Sequence, residues 1–145
     1  MILCDVNVLL AAFRPELSNH ALSAKLIDSL VNGSASYAWN STILATVVRI
    51  DTNPRVFQVP SHLEEVLAFC DSIKNSPNAV QVEPGANHWN TFEGLLKATG
   101  IRGKHVTDVH HAALAVEHGC TFVTWDKEFA RFPRLQLLSV ADASG

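Results

Sequence analysis

The chain has 145 residues, 48% hydrophobic and 17% charged, with a formal net charge of −3. This length fits a single domain over residues 1–145 that buries roughly 68% of its unfolded surface, and the apolar composition excludes disorder. With net acidity, a nucleic-acid partner is not inferred from overall charge, and any such partner would have to be held by local patches.

The chain opens with MILCDVNVLLAAF. Ile2 to Leu10 predicts a strand buried on both faces, as central parallel strands are, with Asp5 and Asn7 at its carboxyl end where the run breaks into a loop or helix. A carboxylate in such a run is costly unless it is paired or binds a metal, so Asp5 requires partners from elsewhere. Leu22, Leu26, Ile27, Leu30 and Val31 form a helical stripe that ends before Gly33. Ser36 to Trp39 predicts a short strand, Asn40-Ser41 a cap, and Thr42 to Ile50 a helix despite its β-branched content.

Ser61 and Glu64 form a capping-box pattern ahead of Leu63, Val66, Leu67, Cys70 and Ile73. Ala79 to Val82 predicts another strand, closed by Pro84-Gly85. The spacing of Trp89, Phe92, Leu95 and Leu96 predicts a helix over His88 to Thr99, ended by Gly100. A loop to His105 leads into a helix over Thr107 to His118, stopped by Gly119. Thr121 to Thr124 and Leu135 to Val140 predict the last strands. This alternation specifies an α/β fold with a mainly parallel sheet in three layers.

Sites in such sheets form beyond the carboxyl ends of the strands. Asp5, Asp126 and Glu128 fall there, and Asp108 falls in the first turn of a helix, where backbone dipoles favour negative charge. Taken singly, Asp108 also suits a cap, and Asp126-Lys127-Glu128 also suits a solvated turn. Converging carboxylates repel unless a cation neutralises them or some are protonated, and oxygen ligands select Mg²⁺ or Mn²⁺ over zinc. The chemistry natural to such a site is phosphodiester hydrolysis.

The segments MILCDVNVLLAAF, TVVRIDTNPRVF and DVHHAALAVEHGCTFVTWDKEFARFP, with the LQLL tail, resemble PIN-domain ribonucleases, specifically the VapC-type toxins of bacterial toxin–antitoxin pairs. The resemblance runs nearly end to end and implies a PIN-like α/β/α fold with four or five strands and an Mg²⁺- or Mn²⁺-dependent endoribonuclease. Carried over by position, Asp5 and Asp108 become the primary metal ligands, Asp126 and Glu128 complete the acidic catalytic pocket, and Asn7 orients the first carboxylate. Many PIN domains carry a glutamate where this chain has Thr46. That hydroxyl can hold a metal-bound water but adds no charge, so weaker affinity or a single ion is expected. The resemblance further implies a VapB-type antitoxin docking on the helices between Ser61 and Thr99, an RNA substrate and a homodimer. A catalytically weak or silent PIN-like module that binds RNA or protein is the alternative.

Arg102, Lys104 and His105 form a basic cluster suited to RNA phosphates or to a solvated loop, and Arg131 and Arg134 are lesser candidates. None of the seven histidines has zinc-site spacing, and His110 and His111 are expected on the surface or in packing. Trp39, Trp89 and Trp125 suit the core, although Trp125 could edge the site. Cys4, Cys70 and Cys120 lack paired spacing and suit a reduced core. Gly100 and Gly103 make no nucleotide-binding loop, and no G-x-S-x-G elbow is present. No apolar run reaches the ~18 residues of a membrane span, and the start lacks a signal peptide's basic region, so no membrane contact and a cytoplasmic location are expected.

Overall fold

The computed structural model describes residues 1–144. Its sheet has five parallel strands in the order β3-β2-β1-β4-β5. These are β1 (Ile2–Cys4), β2 (Tyr37–Trp39), β3 (Ala79–Gln81), β4 (Thr121–Val123) and β5 (Gln136–Leu138). The helices are α1 (Val6–Phe13), α2 (His20–Val31), α3 (Ser41–Asp51), α4 (Leu63–Lys74), α5 (His88–Thr99), α6 (Val106–His118) and α7 (Val140–Ala143).

The connections leading to β2 and β3 step away from β1 on one side, and the return to β4 steps to the other. Right-handed crossovers therefore put α1 to α4 on one face and α5 with α6 on the opposite face. The packing agrees: α1 lies against α2 and α3, α3 against α4, and α5 against α6. The core closes around Leu3, Val8, Leu26, Val47, Leu114 and Phe122. All three cysteines are buried and free. Among the described residues no helix is long and apolar enough to cross a membrane.

The helix reading holds for α2, α3, α5 and α6. Gly100 and Gly119 end α5 and α6 at φ 70° and 64°, left-handed angles that a Cβ would oppose. Three expectations fail. The strand over Ile2 to Leu10 is only Ile2–Cys4, because Asp5 caps a helix that starts at Val6. Strand and helix are both buried, so the apolar run carries no break between them. The Ser61–Glu64 capping box does not form: α4 starts at Leu63 without a side-chain cap, and the Ser61 hydroxyl accepts a hydrogen bond from Arg14 instead. Ser139 ends the last strand early by capping α7.

Trp89 also departs from expectation, being 66% exposed. Trp125 packs inward, its indole N–H donating to Ser23 Oγ at 2.8 Å, away from a role at the site edge.

Candidate active site

β1 and β4 are neighbours, and the chain leaves them for opposite directions of the sheet, which opens a crevice beyond their carboxyl ends. Asp5 follows β1 and Thr124 follows β4. Asp5 is 6% exposed. Its Oδ1 accepts the Val6 N–H at 2.7 Å, and its Oδ2 accepts the Thr124 hydroxyl at 2.7 Å and the Asn7 amide at 3.4 Å. Asn7 is itself fixed across the crevice, donating to Thr124 Oγ1 at 3.1 Å and accepting the Trp125 N–H at 3.1 Å. Asn7 thus reaches Asp5 only through a long hydrogen bond, and the shorter bond comes from Thr124, to which the sequence assigned no role.

Every donor to Asp5 is uncharged. Burial pushes its pKa up to about 6, the charges of Asp108 and Asp126 add to the rise, and the Thr124 and Val6 bonds oppose it. Asp5, Asp108 and Asp126 line one cavity of about 280 Å³, together with Thr46, Lys104 and His111. A larger recess of about 690 Å³ lies against Arg14 and Phe57, but it gathers no comparable set of acids.

Asp108 occupies the first turn of α6, yet no side chain caps that helix. Its carboxylate lies 3.4 Å from His105 Nδ1 and is 31% exposed, so capping does not account for it. Asp126 both caps and lines the cavity: its Oδ1 accepts the Glu128 N–H at 2.9 Å and starts the 3₁₀ turn Lys127–Arg131. That turn carries Glu128 outward. Its side chain is 71% exposed, 4.0 Å from Arg131, and does not join the acidic cavity as expected.

Thr46 lines the cavity, but its hydroxyl donates back to the Thr42 carbonyl at 2.8 Å. Of the basic cluster, Lys104 reaches the cavity and His105 touches Asp108, whereas Arg102 is exposed and outside the lining. Arg49 also lines the cavity and was not foreseen as a contact residue. His110 packs against the His88 ring at a centroid distance of 4.5 Å, as expected. His111 is buried beside Asp5, with Nδ1 3.9 Å from Oδ1. Burial first, then His110, lowers its pKa to about 4. The uncharged ring at this distance makes neither an ion pair nor a hydrogen bond. Nothing in the sequence marked it out beyond a histidine one turn after Asp108.

Among the described residues no three acidic, histidine or cysteine side chains stand close enough to cage a metal. The cavity's donors are chiefly carboxylate oxygens, and Mg²⁺ usually keeps several waters while taking one or two carboxylates. The residues therefore fit a partly hydrated dication.

A family model for the PIN domain matches residues 2–135. The chain is 35% identical to Ribonuclease VapC43 of Mycobacterium tuberculosis over 136 residues, covering 94% of this chain and 92% of that one. It is 33% identical to Ribonuclease VapC25 of the same organism over 132 residues, covering 91% and 93%. Its structure is similar to that of VapBC2 from Rickettsia felis bound to a DNA fragment from their promoter, with TM-score 0.64 at 22% identity over 96% of this chain and 98% of that one. It is also similar to that of M. tuberculosis VapC20, a sarcin-ricin loop cleaving toxin, with TM-score 0.67 at 14% identity over 93% and 98%. At these identities the structural likenesses speak for the fold alone. The length and identity of the sequence matches go further: the chain belongs to the PIN-domain family, among its VapC ribonucleases.

Proposed function

We propose that the whole chain acts as one PIN domain, an endoribonuclease toxin of a toxin–antitoxin pair that hydrolyses RNA phosphodiester bonds with Mg²⁺ or Mn²⁺. The VapC relatives support the ribonuclease reading. The observation that carries the mechanism is Asp5, a buried carboxylate held only by neutral donors and sharing a cavity with Asp108 and Asp126. Asp5 would be the primary holder of the cation, with Asp108 and Asp126 as the flanking acids. When bound, the cation supplies charge stabilisation at the scissile phosphate and activation of the attacking water.

The chain's own residues do the rest. Thr124 and Asn7 hydrogen-bond Asp5 and keep it oriented, while Lys104 and Arg49 in the cavity lining and His105 beside Asp108 supply positive groups suited to RNA phosphates. Arg102 extends that basic loop outward. Similarity to a solved VapBC complex supports a VapB-type antitoxin as partner. A peptide of that antitoxin covering the acidic pocket, and a homodimer as the toxin's working state, belong to the same proposal.

In the test, purified protein cleaves RNA with Mg²⁺ or Mn²⁺, and both EDTA and Asp5→Asn lower the rate by at least about 100-fold. Cleavage undiminished by either change sinks the reading. The alternative is a silent RNA- or protein-binding module, and it draws on Thr46, whose hydroxyl is turned into its own helix. A wild-type protein without activity that gains cleavage through Thr46→Glu would favour it.

A further inference from the structure

Arg49 stands in the last turn of α3 and lines the acidic cavity with Asp5, Asp108 and Asp126. A helix end favours a cation, which accounts for the charge of Arg49 but not for its place among three carboxylates. Two other arginines are matched by acids: Arg14 meets Asp51 at 2.6 Å, and Arg131 lies 4.0 Å from Glu128. Among the described residues Arg49 makes no such pair. Its own helix supplies none either. The positions three and four away hold Ala45, Thr46, Thr52 and Asn53, and Asp51 is taken by Arg14. Thr46, the helix neighbour that shares the cavity, turns its hydroxyl back to the Thr42 carbonyl at 2.8 Å. The guanidinium thus keeps its donors for a ligand.

Three carboxylates outweigh one dication, and a phosphodiester brings a further negative charge, so a second positive group is needed beside the phosphate. Lys104 lines the cavity from the short turn Gly103–His105 ahead of α6, as a point charge on a flexible stem. Arg49 is carried instead by a helix anchored in the core through Ile43 and Val47, and its planar fork matches phosphate oxygens. We infer that Arg49 is a catalytic residue, whose guanidinium grips a non-bridging oxygen of the scissile phosphate from the α3 side of the cavity and supplies the charge that a single dication leaves short. This rests on the reading of the cavity as a one-cation site that hydrolyses RNA. Hydrolysis adds the water oxygen to phosphorus and breaks the bond to one ribose oxygen, which takes up a proton as the water gives one up. Charge builds on the non-bridging oxygens on the way, and a fixed guanidinium there stabilises the transition state more than the bound RNA.

The test uses full-length protein and a short RNA spanning a cut first mapped on total bacterial RNA. Arg49→Ala lowers kcat by at least about 100-fold with KM within about threefold of wild type, and Arg49→Lys stays at least about tenfold below wild type for want of the fork. Mn²⁺ binds RNA-free Arg49→Ala at least as tightly as wild type by calorimetry, because a repelling charge has left. A loss confined to KM, or weaker Mn²⁺ binding in Arg49→Ala, overturns the catalytic role while leaving the ribonuclease reading standing. Sulfur placed at each non-bridging oxygen of the cut in turn needs no variant. In wild-type protein with Mg²⁺ both replacements slow cleavage, and Mn²⁺, which accepts sulfur more readily, restores only one of them. The replacement that Mn²⁺ does not restore slows Arg49→Ala by less than about threefold. Restoration of both by Mn²⁺, or an unrestored effect of full size in Arg49→Ala, overturns the contact. Wild-type protein that cuts no RNA with either ion overturns the ribonuclease reading, and this inference with it.

Discussion

Asp5 and Asp51 are both aspartates carried into the interior, at 6% and 0% exposure, and the fold treats them in opposite ways. Asp51 ends α3 and is met by buried Arg14, whose Nε donates to Oδ1 at 2.6 Å and whose Nη2 donates to the Asp51 carbonyl at 3.0 Å. The same guanidinium donates to Ser61 Oγ and the Val59 carbonyl and lies 3.5 Å from the centre of the Phe57 ring. Only Asp51 Oδ2 is left without a partner. One charge cancels another, and the result is a pinned connection between α3 and α4.

Asp5 receives hydrogen bonds but no opposite charge, and the charges acting on it, those of Asp108 and Asp126, share its sign. A buried carboxylate matched by a guanidinium is finished structure. One supported only by dipoles keeps an unbalanced charge and an attraction for a cation.

The contrast can be broken most directly at Arg14. Arg14→Ala strands Asp51 and is expected to cost about 3–5 kcal/mol in urea unfolding, while leaving cation affinity per folded molecule unchanged. A loss below about 1 kcal/mol would show that this pair is not the knot described. Asp5→Asn is expected to do the reverse, retaining or raising stability while abolishing cation binding and cleavage. A large fall in its unfolding midpoint would mean that Asp5 is structural after all.

The pH dependence sharpens the comparison. In cation-free protein the Asp5 carboxyl, raised from an ordinary 3.8 to about 6, keeps a proton that the unfolded chain has released. Its contribution is present below about pH 4 and is lost as pH rises through about 6, by up to about 3 kcal/mol. His111, lowered from 6.5 to about 4, acts with the opposite sign: its contribution is present above about pH 6.5 and is lost as pH falls through about 4. The two nearly cancel. Asp5→Asn should therefore gain stability between pH 4 and 6.5, and His111→Leu should lose it over the same range. Parallel stability curves for the two variants would refute the assignment. The smallest effect is expected at Glu128, where Glu128→Ala should change cleavage by less than about threefold, since its side chain points to solvent.

Much of the fold was legible because the relevant signals are local. The stripes of α2, α5 and α6 and the glycines that stop two of them depend on neighbours three or four residues away, and Asn40 caps α3 by accepting the Ile43 N–H. Errors arose where a distant residue took over a local signal. Ser61 looks like a helix cap until Arg14, 47 positions away, claims its hydroxyl. Glu128 looks like a fourth acid until Asp126 caps the turn that swings it out. Arg14 itself carried no sign of its role, because an isolated arginine beside a proline resembles any surface cation.

At the site, the residue types and their order along the chain already pointed to Asp5, Asp108 and Asp126, since acids at strand ends and helix starts have few uses that tolerate burial. What the chain alone determined was this inventory of acids on a parallel α/β frame. What only the tertiary structure decided was who stands beside Asp5: Thr124, 119 positions away, and an unpartnered His111 in place of a balancing cation. The physical reason is that desolvation and pairing depend on distance in space, which local periodicity does not encode.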